Sequence, residues 1–135
     1  MNSRTLVAST IAFLIAGTAV AAPTPEPAAE SPHLSACAGP KAACAANQAA
    51  AARSWKMAMA GDRVAQRDLA AILARGADGV AAAPVRACAW RIVIAEARGP
   101  SGADVANLRA DCGRLGAAGQ ADAERLARAI AARIG

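Results

Sequence analysis

Apolar residues dominate a run from Leu6 to Val20, thin out across a proline-rich stretch, and then recur at helical spacing from Lys41 to the end of the chain. The third region carries the fold. Ala65, Leu69, Ile72 and Leu73 stand at i, i+4, i+7 and i+8, one face of a helix. Asp62 precedes them as an N-cap whose carboxylate can accept a backbone N–H, and Gly76 ends the pattern. Upstream, an alanine-rich helix is predicted from about Lys41 to Ala60, stopping at Gly61. Downstream, Pro84 suits the first position of a third helix that reaches about Arg98, where Gly99 and Pro100 stop it.

That third helix differs from its neighbours. Val85, Cys88, Ala89, Trp90, Ile92, Val93 and Ile94 make it apolar on more than one side, so it is expected to lie between other helices. Ser101 and Asp104 form an S-x-x-D capping box for a fourth helix through Val105, Leu108, Cys112 and Leu115. A break from Gly116 to Gly119 precedes a fifth, with Ala123, Leu126, Ala127, Ile130 and Ile134 on one face. Glu124 and Arg128 on it are spaced for an i, i+4 ion pair. No stretch alternates as a strand would. The expected fold is all-α, about five helices in antiparallel hairpins, a short α-solenoid or small bundle.

The first region has another meaning. One positive charge at Arg4, an apolar run of about 15 residues and the small residues Ala19 and Ala21 are laid out as a cleavable export signal. The run is shorter than the roughly 20 residues that span a bilayer core, so cleavage after Ala21 is expected rather than an anchor. Stable membrane insertion of the mature chain is not expected. Residues 22–40, with Pro23, Pro25, Pro27 and Pro32, cannot bury a core and are read as an extended, solvated leader. Residues 41–135 are the helical domain. Export implies a periplasmic or secreted protein.

Composition then limits the chemistry. Removal of Arg4 with the signal lowers the formal net charge from +5 to +4, and the basic residues lie singly or in pairs among acids. No run resembles a nucleic-acid-binding arm, so nucleic acid is not an expected partner. After loss of Phe13, Trp55 and Trp90 are the only aromatic rings, and a core of mostly Ala, Leu, Ile and Val buries little area per side chain. Both tryptophans are read as core.

Such a core benefits from covalent staples, and Cys37, Cys44, Cys88 and Cys112 supply an even number for an oxidising compartment. Four cysteines allow three connectivities. Cys88 and Cys112 each lie 12 residues from Pro100, so a hairpin turning there brings them face to face. Cys37 and Cys44 remain. On one continuous helix they would stand about 10 Å apart, too far to bridge, so Gly39 and Pro40 are expected to turn the chain. The favoured pairing is 37–44 with 88–112. Metal and redox readings lack a C-x-x-C, and the single histidine, His33, lies in the leader. No metal and no cofactor are expected.

Catalysis is equally short of material. After loss of the signal, hydroxyls are few (Thr24, Ser31, Ser35, Ser54, Ser101), Tyr is absent, and the single His33 lies in the leader, so a Ser-His or Cys-His site has no plausible base. Asp62, Asp104 and Glu124 have structural uses. No catalytic residue is predicted, and an enzyme is not expected.

The stretch around the second helix carries a repeat-like register. Gly61, Asp62, Ala65, Gln66 and Leu69 are followed by the loop residues Gly76, Gly79 and Val80, then by Ala87 and Trp90. This resembles the Sel-1-like repeat, a relative of the tetratricopeptide repeat. Gly102, Ala106, Asn107 and Ala110 form a partial second copy, with a wider spacing of 41 residues from Gly61 and no second tryptophan or loop-glycine pair. The resemblance covers roughly residues 53–115 and implies stacked hairpins with a concave surface for a protein or peptide. On that surface it would place Arg63, Gln66, Arg67, Asn107 and Asp111, as protein-binding positions in an adaptor of the cell envelope. A cell-wall-associated hydrolase and a small stapled structural protein without a dedicated ligand are the alternatives. Secreted relatives also join consecutive helices by disulfides.

Overall fold

A computed structural model describes residues 31–134. The export-signal reading of residues 1–21 and most of the leader fall outside those described residues. The fold is all-α: α1 (Lys41–Met59), α2 (Arg63–Arg75), α3 (Pro84–Glu96), α4 (Gly102–Cys112) and α5 (Ala117–Ala131).

Local chemistry sets the ends of these helices. The Asp62 carboxylate accepts the Ala65 N–H at 2.9 Å, and Pro84 occupies the first turn of α3. Ser101 Oγ accepts the Asp104 N–H while the Asp104 carboxylate accepts the Ser101 N–H, a complete capping box. Gly61 and Gly76, with φ of 90° and 70°, turn the chain after α1 and α2 in a region where other residues are strained. The fifth helix starts earlier than the sequence pattern indicates. Gly116 is its N-cap, and Gly119 lies inside its first turns, close against Leu115. A glycine there costs about 1 kcal/mol relative to alanine, and the helix carries it because Ala123, Leu126, Ala127 and Ile130 bury the face that follows.

Packing centres on α3. It lies against α2, α4 and α5, and α1 packs on α2. That environment explains its all-round apolar sequence, with every residue from Arg86 to Arg91 buried. Trp90, Leu69, Leu73, Ile94 and Ile130 are its largest fully buried neighbours and members. Trp55 is only partly buried against the same core. The helix α1 buries Cys44, Ala51 and Ala58, a seven-residue step of small groups that allows close approach, with Cys44 set against Gly79 of the α2–α3 loop. By contrast α4 buries only Asp104 fully, and it makes little contact with α5. The α4–α5 pair therefore does not close as a hairpin; each helix rests separately on α3.

Both expected disulfides are present. Cys88–Cys112 joins α3 to α4 with Cα atoms 4.9 Å apart, and Cys37–Cys44 joins the chain ahead of α1 to its first turns at 5.7 Å. The turn at Gly39 and Pro40 makes the second possible.

Residues 31–39 are not a solvated leader. Ser35 N–H donates to Gly79 O at 3.0 Å, Ala81 N–H donates to His33 O at 2.9 Å, and Leu34 forms an isolated antiparallel bridge with Val80. Pro32 is buried. The segment is a strap across the α2–α3 loop, held by backbone bonds that a prolyl-rich composition does not advertise.

Candidate interaction surface

The five positions expected on a binding surface serve mostly as ties between helices. Arg63, in the first turn of α2, donates from its two terminal nitrogens to Arg98 O and Ile94 O at the end of α3. A guanidinium suits that place, because the last carbonyls of a helix lack intrahelical N–H donors and carry the negative end of the dipole. Gln66 is only 4% exposed and donates to Ala58 O at 3.3 Å, joining α2 to the last turn of α1. Its expected exposure is corrected: Gln66 lies on the face of α2 that packs against α1, and its amide, enclosed there, finds a partner in Ala58 O, which also accepts the Gly61 N–H.

Arg67 and Asp111 belong to cross-helix ion pairs. Arg67 Nε and Nη2 each donate to an oxygen of Asp104 at 2.8 Å, linking α2 to α4. The Asp104 carboxyl is held well below the usual carboxylate range, chiefly by these bonds and then by the Ser101 N–H, against the opposing effect of burial. Asp111 accepts from Arg91 Nε at 2.8 Å, linking α4 to α3 with both side chains nearly enclosed. Of the five, Asn107 is the one that stays exposed. On α5 the ion pair that closes is Asp122–Arg125 at 3.1 Å, in place of the expected Glu124–Arg128.

Sequence reasoning missed Asp78. Its carboxylate accepts the N–H groups of Ala38 and Gly39 at 2.7 and 3.1 Å, and its carbonyl accepts Asn47 Nδ2 at 3.1 Å. Gln48 Nε2 adds bonds to Ser35 O and Gly79 O. Within GADGV the acid reads as an ordinary turn residue, and nothing in the local pattern reveals partners about 40 positions away.

The open surface lies elsewhere. Because α4 and α5 stand apart, a furrow of about 440 Å³ runs between them over α3, with Cys88 and Ile92 as floor and Leu108, Cys112, Gln120 and Glu124 as walls. It continues past Ile92 into a further space of about 280 Å³ lined by Glu96, Glu124, Ala127 and Arg128. The apolar floor is Cys88 and Ile92, at i and i+4 on one stripe of α3 that ends at the charged Glu96, i+8. Charged groups of both signs stand at its rim. A second cleft of about 470 Å³ lies beside Gly61, Arg63, Gln66, Val93 and Ile134. Among the described residues no three His, Cys, Asp or Glu side chains are grouped to hold a metal ion, and no helix is long and apolar enough to cross a membrane.

Comparison of the chain with protein-family models, with curated proteins and with solved structures returns no match in any of the three.

Proposed function

We propose that the chain is an exported, non-enzymatic helical module of the Sel-1-like kind, which holds a protein or peptide partner in the cell envelope. The observation that carries this reading is the furrow over α3. Its floor is apolar and its rim charged, the arrangement by which an amphipathic segment is held in a groove. The polar side chains named above are meanwhile engaged in holding helices together, which leaves little convergent chemistry for a reaction. Two disulfides suit an oxidising compartment, in keeping with the export signal of residues 1–21. The binding surface expected at Arg63, Gln66, Arg67, Asn107 and Asp111 moves accordingly to Ile92, Leu108 and Glu124.

Site-specific photocrosslinking in the cell envelope tests this. A photoreactive residue at Leu108 should give a discrete adduct that is lost on Ile92→Arg, whereas one at Ala52, exposed on α1, should give none. No Leu108 adduct, or one indifferent to Ile92→Arg, removes the furrow from the reading. The mature chain recovered from the same fraction should begin at Ala22.

A further inference from the structure

We propose that Cys37–Cys44 is a thiol–disulfide exchange site for a dithiol reductant, and that its reduction frees residues 31–39 from the body while Cys88–Cys112 stays closed. The two bridges sit in different places. Cys37 is exposed, in a strap whose residues from His33 to Pro40 are all exposed, so an incoming thiolate can reach its sulfur. Cys44 is fully buried. At the other bridge Cys88 is 1% exposed on the furrow floor and Cys112 is partly exposed on its wall, but both cysteines stand on helices, α3 at the centre of the core and α4 against it, rather than on a strap.

The chemistry has a direction. A reductant thiolate attacks Cys37 Sγ, the Cys37–Cys44 bond breaks, and its electron pair leaves on Cys44 Sγ. Cys44 is the fourth residue of α1, whose start has no side-chain cap. The positive end of the helix dipole there favours the departing thiolate, against the cost of its burial. The reductant's second thiol then resolves the mixed disulfide on Cys37. The protein ends with two thiols, and the reductant ends as a disulfide.

Release of the strap follows from what else holds it. Only Pro32 in the strap is buried. The remaining ties are hydrogen bonds from Ser35, Ala38, Gly39, Ala81 and Gln48, largely at the surface, and the part-buried bonds of the Arg86 guanidinium to Ser31 O at the strap's start; bonds to water replace the surface ones at little net cost. A segment of few apolar contacts and exposed bonds opens locally without global unfolding. Opening uncovers Gly79 O, the Ala81 N–H and Val80, which is 2% exposed under the strap.

The native, full chain is titrated with dithiothreitol, alkylated, and mapped by mass, with amide hydrogen exchange followed in parallel. Cys37 and Cys44 should become alkylated at a reductant concentration at least tenfold below that needed for Cys88 and Cys112. Exchange at Ser35 and Ala81 should rise at least tenfold at that point, with α3 unchanged. Asp78→Asn, which weakens the remaining ties, should raise Ser35 exchange further in the reduced form. Simultaneous reduction of both bridges, earlier opening of Cys88–Cys112, or a strap that keeps its protection once reduced would each overturn the proposal.

Discussion

Arg67 and Asp104, 37 residues apart, meet in two parallel hydrogen bonds of 2.8 Å that fasten α4 across the start of α2. The same carboxylate also completes the capping box of its own helix. One side chain thus ends a helix locally and positions it globally, and it is the only residue α4 buries fully.

Asp104→Asn should therefore lower stability by about 2 kcal/mol, the range for a hydrogen bond to a charged group; the half-exposed Arg67, at 38%, keeps the loss below that of an enclosed pair. The effect depends on pH. Because the folded-state value is depressed, the stabilisation is complete above the unfolded aspartate value of about 3.9 and is lost as pH falls below it. Urea unfolding at pH 6 should separate wild type from Asp104→Asn, and the gap should shrink steadily below about pH 4. A gap independent of pH would mean that packing rather than charge sets the difference.

Arg91 and Asp111 form the more enclosed pair, with side chains 6% and 11% exposed. Asp111→Ala strands a buried guanidinium and should cost about 3 kcal/mol. The double variant Arg91→Met with Asp111→Leu should recover most of that loss, because removing both charges spares their desolvation. Denaturant midpoints of the single and double variants check this. If the double variant is as unstable as Asp111→Ala, the pair contributes through geometry that apolar groups cannot replace.

What was legible in the sequence was local. Asp62, Pro84 and the Ser101/Asp104 box mark helix starts through bonds made within a few residues, and the all-round apolar character of Val85–Ile94 correctly places α3 at the centre. The 88–112 bridge was legible because Pro100 lies midway between the cysteines. Partners set by tertiary approach were not. Arg67 and Asp111 read as positions on a binding surface because nothing near them in sequence announces Asp104 or Arg91. The furrow was hidden for a related reason: it arises from α4 and α5 failing to meet, and no residue pattern encodes a missing contact.

Gly79 separates two costs of replacing a glycine. Its φ is 82°, and a Cβ there would collide with Cys44 Sγ and stand 2.9 Å from Gln48 Nε2. Gly79→Ala should cost about 3 kcal/mol, from left-handed backbone strain together with overpacking. Gly99 has φ of 70° but open space around the same position, so Gly99→Ala should cost only about 1 kcal/mol. Thermal melts of the two variants give the comparison, and equal losses would show that the close approach of Cys44 relaxes freely.

The two disulfides should differ in their share of global stability. Bridges constrain the unfolded chain more when they close longer loops, and the sequence separations are 24 and 7 residues. In the chain-entropy model these loops correspond to about 3.5 and about 2.5 kcal/mol. The longer loop also contains the α3–α4 turn, so its loss frees a helix that buries little by itself. Cys88→Ala/Cys112→Ala should accordingly lower the urea midpoint more than Cys37→Ala/Cys44→Ala. A larger loss from the 37–44 pair would mean that the strap over Val80 and Gly79 supports the α2–α3 loop from which α3, and with it the whole bundle, is placed.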